Sequence, residues 1–295
     1  MCAPLSSPHL THAGYNAQRD GSCQIRCIFA RRFRMFKFEE GKCYKMPAHF
    51  GGVPFDPDAK AIYDDVVTID FCYTTDAEKL SNYLPEGLEL IKPELTVEYQ
   101  QCRQVEWMAG SAYNLVCVTV PVRFNGRHDH LEGIFVLVMW ENKTTPILTG
   151  NMMGVPKIYA DIEDLHILAD NFRTCMSFEG KTFLELEAIR QTAMSGDQVK
   201  AMDTDLNTIG WRYIPKVGAP GADLSQPILF PMHRTPKVGW TGTGTLKWTA
   251  LTWAQNPLQY YIIDQVAELP ILDIAPIVIT QGEQVLTEAR GRVLS

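Results

Sequence analysis

One lysine has surroundings that would suit it to react with carbonyl compounds. Lys157 follows Gly154-Val155-Pro156, and its neighbours along the chain include Met152, Met153, Ile158 and Tyr159. Burial disfavours the ammonium form of a lysine side chain, and a neutral amine can attack a carbonyl carbon to form an imine. The segment therefore indicates covalent carbonyl chemistry at Lys157. From spacing alone, a surface lysine after a proline turn is the simpler interpretation.

A few other side chains could assist such a reaction. Glu98 lies in the strand-like segment Val97-Glu98-Tyr99, and its alternation fits an inward or an outward carboxylate equally well. An inward Glu98 could transfer protons. Tyr113 could reach a pocket with its hydroxyl, although a core role is the simpler reading. Asn151 could orient an oxygen atom or serve a turn.

Metal, nucleotide and hydrolase chemistry find little support in the sequence. His128-Asp129-His130 directly follows the turn signal Asn125-Gly126, which favours a solvated hairpin tip over a metal site. No serine lies in a Gly-x-Ser-x-Gly elbow. His233-Arg234 could contact a substrate as a lid or lie in solvent, and the solvent position is favoured. We therefore expect no metal and no cofactor.

The composition is that of an ordinary globular protein. The 295 residues are 46% hydrophobic and 21% charged, with a net charge of -7. That charge argues against nucleic-acid binding, and no apolar run reaches the roughly 18 residues of a membrane span. The chain opens without a secretory apolar segment, which predicts a cytoplasmic protein. The arginines within 31–34 would also fit a mitochondrial presequence.

Period-two alternation predicts most of the elements that would position these residues. Strands are predicted over 66–73, 95–101, 113–124, 134–140, 175–178, 182–189 and 245–253. A capping box at Thr75 predicts a short helix to Leu84, and Asn256-Pro257 predicts another through 260–266. The proline-rich stretch 215–236 is interpreted as a long surface excursion.

These elements predict a mainly β fold of the α+β type. Adjacent strands joined by short turns favour an antiparallel sheet or barrel with a few short peripheral helices. Residues 1–45 differ in composition and are interpreted as a poorly ordered or accessory leader. Residues 46–295 then form one domain.

Several motifs of that domain resemble the acetoacetate decarboxylase family in their order. They are Leu84-Pro85-Glu86-Gly87-Leu88, Val97-Glu98-Tyr99, Val120-Pro121-Val122-Arg123-Phe124-Asn125-Gly126, Gly154-Val155-Pro156-Lys157 and Leu269-Pro270-Ile271. The resemblance spans roughly residues 47–295 and implies a cone-like antiparallel β-barrel around a pocket, in a homo-oligomer. It places the imine-forming lysine at Lys157 and a pocket carboxylate at Glu98. Acetoacetate decarboxylase is itself the standard example of a lysine activated by desolvation or a nearby cation.

Other positions depart from the family pattern. Its second lysine, its second active-site glutamate and its substrate-binding arginine correspond to Ile158, Leu115 and Val66, and a further glutamate corresponds to Asn151. With Tyr113, Met152 and Met153, these residues would line a drier pocket. Complete burial lowers the pKa of a lysine by up to about 3 to 5. We therefore expect desolvation alone to activate the amine, and a less polar carbonyl substrate to be preferred.

The resemblance implies a Schiff-base lyase of the acetoacetate decarboxylase type. It would act on a small hydrophobic keto acid or related carbonyl compound, by decarboxylation or by the aldol and dehydration chemistry of some relatives, as in secondary metabolism. The iminium itself would serve as the electron sink. The alternative is a non-covalent small-molecule-binding protein or cyclase that uses the same apolar pocket without an imine.

Overall fold

The computed structural model describes residues 35–295, and the chain divides into two compact units after Phe55. In the described part of the first unit, strands β1 (Lys42–Cys43) and β2 (Val53–Pro54) pair antiparallel around a 3-10 turn at Ala48–Phe50. The arginines within 31–34 and most of the predicted leader lie outside the described residues. The predicted boundary at residue 45 stays a prediction.

The second unit, from residue 56 onward, is built on one sheet of seventeen strands. They are β3 (Lys60–Thr74), β4 (Leu88–Leu90), β5 (Glu94–Val105), β6 (Ser111–Asn125), β7 (His130–Glu141), β8 (Lys157–Tyr159), β9 (Asp161–Ile162), β10 (His166–Leu168), β11 (Asn171–Phe178), β12 (Lys181–Ala193), β13 (Thr204–Leu206), β14 (Thr208–Pro215), β15 (Ala222–Leu229), β16 (Met232–Trp248), β17 (Asp273–Ile274), β18 (Ile277–Thr287) and β19 (Arg292–Val293).

Four short α-helices accompany the sheet in the described chain. They are α1 (Ala77–Ser81), α2 (Thr144–Met153), α3 (Gly196–Lys200) and α4 (Tyr260–Ala267), with further 3-10 turns at Glu106–Met108 and Glu288–Arg290. The predicted mainly β class with few short helices is therefore confirmed. No helix among residues 35–295 is both long and apolar enough to span a membrane.

The sheet is mixed rather than purely antiparallel. The long strands pair antiparallel in the order β11, β12, β16, β18, β3, β5, β6 and β7, whereas β7 forms short parallel ladders with β8 and β14. The sheet does not close into the expected barrel. Beyond β7 the chain passes from β8, which pairs with β7, to β9, which pairs with β11, and no ladder of the described chain joins β8 to β9.

The two faces of the central strands bury different side chains. Val116, Val118, Val120 and Val122 share one face, as predicted, and belong to the main hydrophobic core. The opposite face carries a second cluster that includes Val66, Cys102, Leu115 and Cys117. Charged residues lie on that second face. We call it the lysine face, defined by Val66, Asp70, Glu98, Cys117 and Lys157.

Local deviations from the predictions have physical reasons. Helix α1 begins one residue later than predicted, because Asp76 rather than Thr75 accepts the capping hydrogen bond, from Lys79 N at 2.8 Å. The predicted surface excursion 215–236 is wrong. Most of it forms β15 and the start of β16. Pro227 and Pro236 lie within these strands and are paired with neighbouring strands. The predicted last long strand ends at Trp248 instead of 253.

Candidate active site

The end of helix α2 and the start of β8 fix the backbone of Lys157. The helix ends at Gly154, whose φ of 95° lies in the left-handed region that glycine adopts without a Cβ penalty. Asn151 Oδ1 accepts a hydrogen bond from Lys157 N at 3.0 Å, and Asn151 Nδ2 donates to Lys157 O at 3.1 Å. One amide side chain therefore clamps both backbone polar groups of Lys157 to the last turn of α2.

The side chain of Lys157 extends over Gly150 toward a buried carboxylate. A Cβ atom at position 150 would stand 2.4 Å from Lys157 Cδ and Cε, so glycine makes room for the lysine stem. Lys157 Nζ donates to Glu141 Oε1 at 2.7 Å and to Pro146 O at 3.3 Å. The lysine side chain is 11% exposed and the glutamate side chain is 0% exposed. The amine is thus held in a nearly dry ion pair.

Glu141 changes the expected electrostatics of the lysine. Burial raises the pKa of the Glu141 carboxyl group, and the charge and hydrogen bond of Lys157 partly offset that effect. Glu141 Oε2 is buried and has no hydrogen-bond partner among the described residues. The expectation that desolvation alone acts on the amine must therefore be corrected, because a carboxylate faces it directly.

A second ion pair occupies the same sheet face. Arg234 donates to both carboxylate oxygens of Glu98, from Nη1 to Oε2 at 2.6 Å and from Nη2 to Oε1 at 2.8 Å. Gln100 Nε2 donates to Glu98 Oε1 at 2.7 Å. The side chains of Arg234 and Glu98 are 21% and 12% exposed. The predicted solvent position of Arg234 is wrong, whereas the adjacent His233 is half exposed and binds Asp203 and Asp205.

Asp70 adds a third carboxyl group beside that pair. It is the cross-strand partner of Glu98 in the β3–β5 ladder, and its Oδ1 is buried without a hydrogen-bond partner within residues 35–295. Burial raises the pKa of Asp70 well above its usual range, the negative charge of Glu98 raises it further, and Arg234 opposes both. Burial and the neighbouring carboxylate thus favour the protonated form of Asp70 beside the Arg234–Glu98 pair.

Strand register places one member of each ion pair, Glu98 and Lys157, on one row of the lysine face. Glu98 pairs with Cys117, Cys117 with Met139, and Met139 with Lys157 across β5, β6, β7 and β8. Three strand spacings amount to roughly 14 Å along the sheet. Burial raises the pKa of the Cys117 thiol well above its usual range, and Glu98 raises it further. A neutral thiol thus lies between the Lys157–Glu141 and Arg234–Glu98 pairs.

The sequence of this chain matches a known protein family. The family model described as acetoacetate decarboxylase (ADC) matches residues 45–281. The chain belongs to the acetoacetate decarboxylase family. It is 25% identical over 242 residues to an acetoacetate decarboxylase of Burkholderia cenocepacia, covering 79% of this chain and 87% of the relative. A protein of Burkholderia vietnamiensis with the same name matches equally.

Solved structures show the same fold at lower identity. Acetoacetate decarboxylase from Legionella pneumophila superposes with a TM-score of 0.65 at 20% identity, covering 82% of this chain and 88% of that one. The enduracididine biosynthesis enzyme MppR, complexed with the condensation product of pyruvate and imidazole 4-carboxaldehyde, superposes with a TM-score of 0.66 at 16% identity, covering 87% and 98%. The fold thus carries both decarboxylases and other enzymes.

The structure gathers some of the predicted pocket residues and separates others. Val66, Tyr113 and Leu115 are buried in the cluster of the lysine face, and Met153 packs against it. Ile158 packs instead against the main core on the opposite face, as strand alternation requires of the residue after Lys157. Met152 is half-buried, and Asn151 is exposed. Their roles toward a substrate stay predictions.

An apolar groove borders the start of β8. It encloses about 860 Å³ between β7, β14 and α4, and its wall includes three of the predicted site residues, Asn151, Lys157 and Ile158. Aromatic and aliphatic residues supply most of the rest, among them Phe135, Leu137, Trp211, Tyr213 and Tyr261. A volume of this size suits a small organic molecule.

An arginine binds the carboxylate at the His128-Asp129-His130 tip. Asp129 binds Arg292 through two short contacts, at 2.6 and 2.9 Å, and the hydrogen bonds from Arg292 lower the pKa of Asp129 to about 2. Among residues 35–295, no three His, Cys, Asp or Glu side chains gather so that they could hold a metal ion.

Proposed function

We propose that this protein is a lysine-imine enzyme that acts on a small hydrophobic keto acid or related carbonyl compound. The observation that carries the proposal is the 2.7 Å contact between Lys157 Nζ and buried Glu141. It supplies an amine that is shielded from water together with a proton acceptor in direct contact. Membership of the acetoacetate decarboxylase family supports the same chemistry.

The first step would be proton transfer inside the ion pair. A proton moves from Lys157 Nζ to Glu141 Oε1, and the raised pKa of Glu141 favours its acceptance. The transfer converts two buried charges into two neutral groups, which low polarity favours. The amine lone pair then bonds to the carbonyl carbon and gives a carbinolamine.

The second step would return the proton from Glu141. The carbinolamine hydroxyl takes that proton and leaves as water, and the nitrogen becomes an iminium cation. The overall exchange is ammonium plus carbonyl compound to iminium plus water, so the charge beside Glu141 is unchanged. The iminium then accepts the electron pair of an adjacent bond. That bond is carbon–carboxylate in decarboxylation and carbon–carbon in a retro-aldol step. In dehydration it is the carbon–hydrogen bond next to the iminium carbon: a base takes the proton, and the resulting enamine expels the β-hydroxyl group, which takes a proton and leaves as water.

Glu98 would serve the later proton transfers. It lies on the row of Lys157, and its negative charge is held in place by Arg234 and Gln100. A substrate that extends along the row from Lys157 would bring its reacting carbon toward this carboxylate. The neighbouring apolar groove could hold a hydrophobic part of the same molecule.

Reductive trapping tests the proposal. The protein is incubated with a ketone such as methyl levulinate, treated with borohydride, digested and mapped by mass spectrometry. We expect a stable adduct on Lys157 and none in the Lys157→Met/Glu141→Gln double variant, which removes the nucleophile without stranding a buried charge. Lys216→Met is the matched control, because Lys216 also follows a proline but is exposed. Labelling of other lysines with Lys157 unmodified would refute the proposal.

One observation favours the non-covalent alternative. The ion pair with Glu141 stabilises the charged amine, which is not a nucleophile. In a small-molecule-binding protein or cyclase, Lys157 would only neutralise buried Glu141 and would not act on the ligand. Its signature would be unchanged ligand binding or turnover in the Lys157→Met/Glu141→Gln variant, together with the absence of any borohydride adduct.

A further inference from the structure

The Arg234–Glu98 pair is not needed for imine formation, yet it lies on the same sheet face as Lys157. Arg234 reaches the face from β16, while Glu98 comes from β5. Two hydrogen bonds, of 2.6 and 2.8 Å, join the two nitrogens of the guanidinium edge to the two oxygens of one carboxylate. This is the geometry by which arginine recognises a bound carboxylate.

That geometry means that Glu98 occupies the carboxylate-binding edge of Arg234. A substrate carboxylate could bind there after displacing Glu98, which would then lose both contacts at a buried position. The incoming carboxylate would then lie beside the displaced carboxylate of Glu98. Like charges in a site of low polarity repel strongly.

The charges around the Arg234–Glu98 pair offer no net electrostatic stabilisation to a second anion. Glu98 neutralises Arg234, and Glu141 neutralises Lys157 both before and after the ammonium is exchanged for an iminium. A neutral ketone or aldehyde enters this face without changing its net charge. A keto acid brings an uncompensated negative charge.

We propose that the site selects neutral ketones or aldehydes over keto acids, and that Glu98 enforces the selection by blocking Arg234. This inference rests on the proposed imine chemistry of Lys157. It excludes decarboxylation, because a neutral substrate has no carboxylate group to lose. The remaining reactions are the cleavage or formation of carbon–carbon or carbon–oxygen bonds. Glu98 is the specificity-determining residue, and Arg234 is the cation that it covers.

Borohydride trapping with a matched pair of probes tests the selection. Levulinate and methyl levulinate carry the same ketone and differ in the charge of the carboxyl group, and neither is a β-keto acid that could lose carbon dioxide. In the wild-type protein we expect Lys157 to be labelled at least tenfold faster by the ester than by the acid. In Glu98→Gln, which keeps the side-chain size and removes the charge, we expect the ratio to shift at least tenfold toward the acid.

Two further variants isolate the cause. Glu132→Gln removes the same charge from a cross-strand pair with Arg123 that is exposed, so its ratio should equal that of the wild type. Glu98→Gln/Arg234→Met removes both charges, and it should lose the gain in labelling by the acid. Circular dichroism and a cooperative thermal transition establish that each variant is folded.

The outcomes separate this inference from the function on which it rests. Wild-type labelling of Lys157 by levulinate as fast as by the ester would overturn the inference and leave the imine chemistry standing, and this comparison needs no variant. An unchanged ratio in folded Glu98→Gln would also overturn it. Absence of labelling by both probes would instead refute the imine chemistry, and the inference would fall with it.

Discussion

Removing one partner of the Lys157–Glu141 pair should be costly, and removing both should be much less so. At 2.7 Å and an effective dielectric constant of about 20, the attraction is about 6 kcal/mol before desolvation is subtracted. Loss of one partner of a buried pair costs about 3–5 kcal/mol, because the other charge stays buried. With side chains 11% and 0% exposed, little solvent screening reduces this figure.

We therefore expect Lys157→Met and Glu141→Gln each to lower the free energy of unfolding by about 3 kcal/mol near neutral pH. The double variant should cost less than the sum, with a coupling energy of about 2–4 kcal/mol. Urea denaturation followed by tryptophan fluorescence measures all four proteins. A coupling energy below about 0.5 kcal/mol would refute the buried ion pair.

The pH dependence gives this prediction a sign. The pKa of Glu141 in the folded protein is raised by burial, and Lys157→Met removes the group that partly offsets this. A carboxyl group with a raised folded pKa contributes stability that is present below its unfolded pKa of about 4.3 and is lost as the pH rises through the folded value. The penalty of Lys157→Met should thus be smallest near the acid end of the stable range and grow toward neutrality. A penalty that shrinks as the pH rises would contradict the reasoning.

Three further predictions concern the groups around the two pairs. Gly150→Ala gains about 0.5–1 kcal/mol of helix propensity, but the new Cβ atom displaces the Lys157 side chain. Imine trapping should therefore fall at least tenfold. The control Gly196→Ala, whose Cβ atom would lie in open space, should leave trapping unchanged. Asp70→Asn removes a buried acid whose folded pKa is raised, so its stability relative to wild type in urea denaturation should increase with pH; a decrease would contradict the assignment. Asn151→Ala breaks two hydrogen bonds and should cost about 1–3 kcal/mol in the same assay, with Asn151→Asp recovering part because it can still accept from the backbone; equal losses in both variants would contradict the clamp.

The sequence predicts the central strands well because their signal is strictly local. In β6, alternate valines from Val116 to Val122 share one buried face, and the turn at Asn125-Gly126 joins β6 to β7. Helix α2 has no comparable signal, since its buried residues, Pro146, Ile147 and Gly150, include only one large aliphatic side chain. The strands within 215–236 are missed because the prolines of this stretch indicate a loop. In the structure, prolines lie inside strands β15 and β16.

The site is harder to predict because its charged side chains pair with residues distant in the sequence. Lys157 and Glu98 can be identified as candidates from motifs, but Glu141 and Arg234 carry no motif. Glu141 ends an apolar strand, and Arg234 lies in a segment without clear alternation. Alternation indicates which residues share a face but not which face is interior when both are buried. The partners become evident in the folded structure, where Arg234 reaches Glu98 from β16 and Glu141 of β7 faces Lys157 of β8.

The two ion pairs make different demands on a substrate, and together they define the chemistry that this face can sustain. Lys157 and Glu141 can exchange an ammonium for an iminium without altering the net charge, so imine formation needs no outside cation. Arg234 and Glu98 neutralise each other, and burial and the charge of Glu98 raise the pKa of Asp70 beside them. Three carboxyl groups thus face two cations, and Cys117 between them contributes no charge. An added anion would have to displace Glu98 from Arg234 or bind next to its negative charge. We therefore expect the electrophilicity of the carbonyl carbon, and not the presence of a carboxylate group, to decide which compounds react.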